Sequence, residues 1–161
     1  MGLAQAEIIV QSKDWLAEKN VMTPLDKAGC VAQTTKEIDV NGIKENWTLQ
    51  VIKLQANNGE YAHPIIISFP EQLGAAQYYE GTGQTNKVGT PTFEMTLLQP
   101  NATDKTIVAA RMKDRLEIVR RLRADSTFSV SYLDKTGPVQ TAEFSLRGSS
   151  KVIKALNETC R

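Results

Sequence analysis

Two cysteines constrain this chain most: Cys30 lies early, and Cys160 lies one residue from the end. A thiol at a chain end has little to pack against, and a cross-link to Cys30 is the simplest reason for it. Such a bond would close a loop of about 130 residues and stabilise the fold by roughly 5 kcal/mol in the chain-entropy model. It would also fasten the C-terminal segment to an early strand. A bond of this kind persists only in an oxidising compartment. The alternative is two unrelated buried thiols. The other end agrees with export. Ala4-Gln5-Ala6 is an A-x-A pattern of the kind a signal peptidase cuts after. Residues 1–6 therefore read as a leader remnant, with Met1-Gly2 added for expression, and 7–161 as one globular domain. The competing reading is an ordinary N-terminus that happens to spell the same letters.

The chain has 161 residues, 41% apolar and 23% charged, which suits a single soluble domain with a real core. A net charge of +1 supplies no global field to attract nucleic acid or an anionic membrane. No apolar run approaches the ~20 residues needed to span a bilayer as a helix.

Most of the sequence reads as strands. Glu7 to Ala17 alternates in part, and Gly29 to Ile38 places Cys30, Ala32 and Thr34 on one parity. Asn41-Gly42 punctuates as a tight hairpin turn. Trp47 to Gln55 sets Trp47, Leu49 and Val51 against Thr48, Gln50 and Ile52, and Pro64 to Phe69 is a short buried strand. Further strands are expected at Thr92 to Leu98, Lys105 to Arg111, Thr127 to Leu133 and Val139 to Leu146. Residues 70–90 hold four glycines and the pair Tyr78-Tyr79. They read as a long loop with a helical turn at Glu71 to Gln77, and loops of that length are uncommon without a function.

Two helices are expected in the C-terminal half. Lys113 to Ala124 carries Leu116, Val119 and Leu122 at helical spacing. The last helix opens after Gly148 with Ser149 or Ser150 as N-cap, and puts Val152, Ile153 and Leu156 on one side. The expected fold is a β-rich α+β domain: an antiparallel sandwich or meander of about eight strands with two helices.

No motif announces catalysis. His63 is the single histidine, precedes Pro64, and has no serine or cysteine motif beside it. One histidine and two cysteines expected to be oxidised leave too few ligands for a zinc site, and no cofactor is implied. Gly81-Thr82-Gly83-Gln84 lacks the Gly-Lys-Ser/Thr that completes a phosphate loop. Two regions remain as candidate contacts. Tyr78, Tyr79, Gly81 and Gly83 would form a recognition loop, since tyrosine is enriched in interfaces; the bland alternative tucks them under that loop. Arg111, Arg115, Arg120 and Arg123 would form an anion-contact face on the first helix. Its bland alternative is a solvated face balanced by Asp114, Glu117 and Asp125. No stacking aromatics of a nucleic-acid surface lie nearby.

From Arg111 to Leu156 the chain resembles the invasion-associated locus B family of bacterial envelope proteins. The resemblance is carried by Lys113-Asp114-Arg115-Leu116-Glu117-Ile118-Val119, then Phe128-Ser129-Val130-Ser131-Tyr132, and then Phe144-Ser145-Leu146-Arg147-Gly148 with Ala155-Leu156 beyond. Asp14-Trp15 followed by a cysteine is similar to the family's start. Ser149 stands where the family usually has an aromatic, and a further early cysteine is missing. The resemblance implies an exported, β-rich, non-enzymatic protein and brings no catalytic residues. The expectation is a periplasmic or secreted binding protein whose partner is a protein or envelope component. The alternative is a small inhibitor of a secreted hydrolase.

Overall fold

A computed structural model describes residues 5–23, 27–40, 43–55, 61–62, 64–68, 78–98, 107–110, 115–134 and 139–160. In chain order the strands are β1 (Glu7–Ser12), β2 (Trp15–Met22), β3 (Ala28–Val40), β4 (Ile43–Gln55), β5 (Tyr61–Ala62), β6 (Ile65–Ser68), β7 (Tyr78–Thr85), β8 (Phe93–Leu98) and β9 (Ile107–Ala110). Helix α1 (Arg115–Ala124), strands β10 (Thr127–Asp134) and β11 (Val139–Ser145), and helix α2 (Ser149–Thr159) complete the fold. The sheet runs β1-β2-β3-β4-β6-β9-β8-β7-β10-β11, with β5 paired to β4. Each of these pairings is antiparallel. This is the expected β-rich α+β meander, with eleven strands among the described residues instead of about eight.

Part of the difference lies at the start. The expected strand from Glu7 to Ala17 is a hairpin, because Ser12 pairs with Trp15 and leaves only Lys13 and Asp14 between the strands. Lys13 takes a left-handed φ of 52°. That conformation usually goes to glycine or asparagine, and contacts from distant parts of the chain hold the turn instead. Asp14 N–H donates to the Arg147 carbonyl, and Thr34 Oγ1 donates to the Asp14 carbonyl. The expected β3–β4 hairpin is present. Val40 pairs with Ile43, leaving two residues between the strands, although Asn41 and Gly42 lie outside the described residues.

The parity readings of β3 and β4 hold. Ala32 on β3 and Trp47, Leu49 and Val51 on β4 enter the main core, where they meet Trp15, Phe93, Phe128 and Phe144. Cys30 packs partly buried against it. The opposite parity sends Val31 and Ile52 to a smaller cluster with Leu54 and Ile66. Helices α1 and α2 pack on the main-core face through Ile118, Leu122, Val152, Ile153 and Leu156. Each large apolar side chain buried this way is worth roughly 1.5–3 kcal/mol against exposure.

Helix α2 starts differently from its expectation. The N-cap is Gly148, at φ 93°, with no side-chain cap. A Cβ at Gly148 would collide with the Ser12 carbonyl oxygen, so this tight passage requires glycine. Ser149 is buried, and its hydroxyl donates to the Leu122 carbonyl at 2.5 Å. It ties the start of α2 to α1 instead of capping its own helix.

Candidate functional site

The disulfide anticipated from the sequence is present: Cys30 and Cys160 are bonded, 130 residues apart. Its surroundings explain how the end of α2 is held. Cys30 and Lys53 are direct cross-strand partners on β3 and β4. Lys53 is buried, and its Nζ donates to the Cys160 carbonyl at 2.9 Å. A cation at a helix C-terminus also opposes the negative end of the helix dipole. One rung of the sheet therefore grips the last turn of α2 twice, by a covalent bond and by an ammonium.

The expected recognition loop is corrected. Tyr78, Tyr79, Gly81 and Gly83 belong to strand β7, inside the sheet between β8 and β10. Pairing explains how a segment so rich in glycine is a strand. Gly81 stands opposite Met95 and Tyr132, and Gly83 opposite Phe93 and Val130, so each small residue is paired on both sides with large ones. Cross-strand partners, more than the propensity of one residue, decide whether a strand forms. The expected helical turn at residues 71–77 lies outside the described residues, as does His63. The Gly81-Thr82-Gly83-Gln84 stretch is strand, without a helix to follow it.

The true connection is the β7–β8 turn at residues 86–92, and it is tightly built. Asn86 N–H donates to the Thr127 carbonyl, while Asn86 Oδ1 accepts from the N–H groups of Ser126 and Thr127. Thr90 Oγ1 lies within hydrogen-bonding distance of the Lys87 and Thr85 carbonyls, and Gln84 Nε2 donates to the Thr90 carbonyl. Gly89 supplies the left-handed φ of 82°. At the tip Val88 is 98% exposed. Sequence reasoning missed Val88, although an apolar residue flanked by Asn86-Lys87 and Gly89 was a visible signal.

The first helix is also shifted in its facing. Its buried residues are Ile118 and Leu122, with Val119 half-buried, while Leu116 is 89% exposed. The expected stripe of Leu116, Val119 and Leu122 fits helical spacing equally well, but contact with α2 selects the neighbouring one. Arg120 and Arg123 lie exposed on the same side as Leu116, and Arg115 is partly buried. Arg111 lies outside the described residues. Leu116, Val119, Arg120, Arg123 and Ala124 line a shallow depression of about 400 Å³, completed by Ser150 of α2. Glu117 is occupied by two guanidiniums: Arg120 Nη2 lies 2.6 Å and Arg121 Nε 3.0 Å from its Oε1. The Arg120 hydrogen bond holds the Glu117 carboxyl below its ordinary range against some desolvation, with Arg121 adding to it; Glu117 in turn raises Arg120.

A second depression of about 500 Å³ lies where β2 and β3 approach β10 and β11, lined by Asp14, Gln33, Thr35, Lys36, Glu143 and Ser145 among others. Ser145 Oγ donates to Asp14 Oδ2 at 2.5 Å, and Trp15 Nε1 donates to the Ser145 carbonyl at 2.8 Å. These bonds stitch the β1–β2 turn to β11. Among the described residues no three His, Cys, Asp or Glu side chains gather as a metal site, and no helix is long and apolar enough to cross a membrane.

No family model and no curated protein matches the chain. Among solved structures, the crystal structure of invasion associated protein b from Bartonella henselae is similar, with a TM-score of 0.60 and 12% sequence identity. The match covers 96% of this chain and 97% of that one. The fold is shared end to end. The resemblance drawn from short motifs between Arg111 and Leu156 therefore extends, at the level of fold, to nearly the whole chain.

Proposed function

We propose that this chain is an exported, non-enzymatic binding protein of the bacterial envelope, engaging a protein partner through the 86–92 turn. The observation that carries the reading is the construction of that turn. Hydrogen bonds from side chains and backbone fix it from within and tie it to the start of β10, and Val88 projects fully into solvent. A loop ordered before binding loses little conformational entropy on association, which is where affinity is commonly forfeited. The disulfide supports export, since it persists only under oxidising conditions. Shared fold with an invasion-associated protein supports an envelope setting.

The same preformed, apolar-tipped turn favours a second reading, a small inhibitor of a secreted hydrolase. One experiment addresses both. A photo-reactive residue at position 88, in protein directed to the periplasm, is expected to give one discrete adduct, which Asn86→Ala should remove by loosening the turn. Absence of any adduct would reject the loop as the contact. Inhibition of a lysozyme or protease panel, reduced about tenfold or more by Val88→Asp, the loss of one well-buried anchor, would assign the inhibitor reading.

A further inference from the structure

We infer that the outer face of α1, with the start of α2 beside it, docks on an anionic lipid surface, with Leu116 entering the headgroup layer. This inference rests on that face alone and is independent of the 86–92 turn. The face has an unusual composition for a solvated helix. Its centre is Leu116, 89% exposed, with Val119 and Ala124 continuing the apolar floor of the depression. Its rim is cationic: Arg120 and Arg123 stand on α1, and Lys154 lies exposed one turn beyond Ser150 on α2. Glu117 takes both of its oxygens to Arg120 and also pairs with Arg121, and Asp125 adds to the field at Arg120, so the positive charge offered outward comes chiefly from Arg123 and Lys154.

Charge decides the occupant. A second copy of the chain would set the cationic rim against itself, which disfavours self-association through this face. A shallow depression offers no pocket for a small anion to be enclosed. A sheet of phosphates with an accessible apolar layer beneath satisfies both parts together: the Arg123 guanidinium and the Lys154 ammonium reach phosphate, and the leucine leaves water. Interfacial attachment of this kind scales with buried apolar area plus attraction to anionic headgroups. Arginine suits the phosphate contact because its planar fork donates two hydrogen bonds at once. The helix does not need to leave the core, because Ile118 and Leu122 keep its opposite side packed.

The test is sedimentation of the intact, oxidised protein with large vesicles. Vesicles of phosphatidylethanolamine and phosphatidylglycerol are expected to carry the protein down at low salt, and pure phosphatidylcholine vesicles are not. Binding should weaken towards physiological salt, where the screening length falls to ~8 Å. Arg123→Gln and Lys154→Gln should each lower partitioning about fivefold, the usual effect of one surface cation near anionic lipid. The indole introduced by Leu116→Trp should be quenched by brominated lipid, against the fixed background of Trp15 and Trp47, which are buried. All three positions are exposed, so unchanged melting temperatures check that each variant is folded. Equal binding to both vesicle types overturns the inference, as does an indole at position 116 that brominated lipid leaves unquenched. Failure to bind phosphatidylglycerol vesicles also overturns it, and binding to polyglutamate in their place would assign the face to an acidic polypeptide.

Discussion

The two helices pack on the same core but are held in contrasting ways. Helix α2 is gripped at both ends: Ser149 bonds to Leu122 at its start, and the disulfide and Lys53 hold Cys160 at its finish. Between those points Val152, Ile153 and Leu156 are buried. Helix α1 is held by Ile118 and Leu122, and turns a leucine and two arginines outward. Side chains committed to holding an element in place are not available for anything else. The comparison therefore separates a helix locked at both ends from one held through its buried side.

Breaking the grip on α2 should have the largest effect. Cys160→Ser removes a cross-link worth roughly 5 kcal/mol in the chain-entropy model, and thermal melting should fall by several degrees or more. An unchanged melting temperature would mean that the rest of the fold already confines the chain. Next in size is Leu156→Ala, a buried truncation expected to cost about 2–5 kcal/mol in urea unfolding. Lys53→Met keeps the apolar stem but leaves the Cys160 carbonyl without its buried donor, at a cost of about 1–3 kcal/mol. On α1, by contrast, Leu116→Ala should stay within about 0.5 kcal/mol, as exposed substitutions do. A larger loss there would show that Leu116 supports the fold.

The smallest effect expected is electrostatic. The Glu117 carboxyl is held below its ordinary range by Arg120 and then Arg121, so its contribution is present above the unfolded carboxylate value. That contribution is lost as pH falls through the lowered folded value. Because the pair is solvated, melting temperature should barely respond. Carboxyl NMR should still find Glu117 titrating below the ordinary glutamate value, and Arg120→Gln should move it back upward.

How much of this was legible in the sequence follows the range of the forces involved. The cross-link could be read because the chain holds just two cysteines, each the other's one possible partner within it, and β3, β4 and the apolar side of α2 could be read because their periodicity is local. The β1–β2 turn could not. Lys13-Asp14 lacks the glycine that marks a two-residue hairpin, and the bonds of Asp14 run to Thr34, Ser145 and Arg147, distant in sequence. Strand β7 was hidden for a related reason. Glycines 81 and 83 read as loop until Phe93, Met95, Val130 and Tyr132 are known to lie opposite them. On α1 two apolar stripes were equally periodic, and only the position of α2 selects Ile118 and Leu122. The candidate surface shared that difficulty, since exposure of Leu116 and Val88 is decided by what fails to cover them.

The spacing of the two cysteines also sets the timing of assembly. A chain emerging from its N-terminus shows Cys30 early, and the second thiol arrives 130 residues later. The covalent lock cannot close, and Asp14 cannot find Arg147, until that intervening stretch is out. Contacts this distant in sequence slow folding. A chain passing through a narrow channel would thus remain unlocked and threadable during transit, and would close only on the far side.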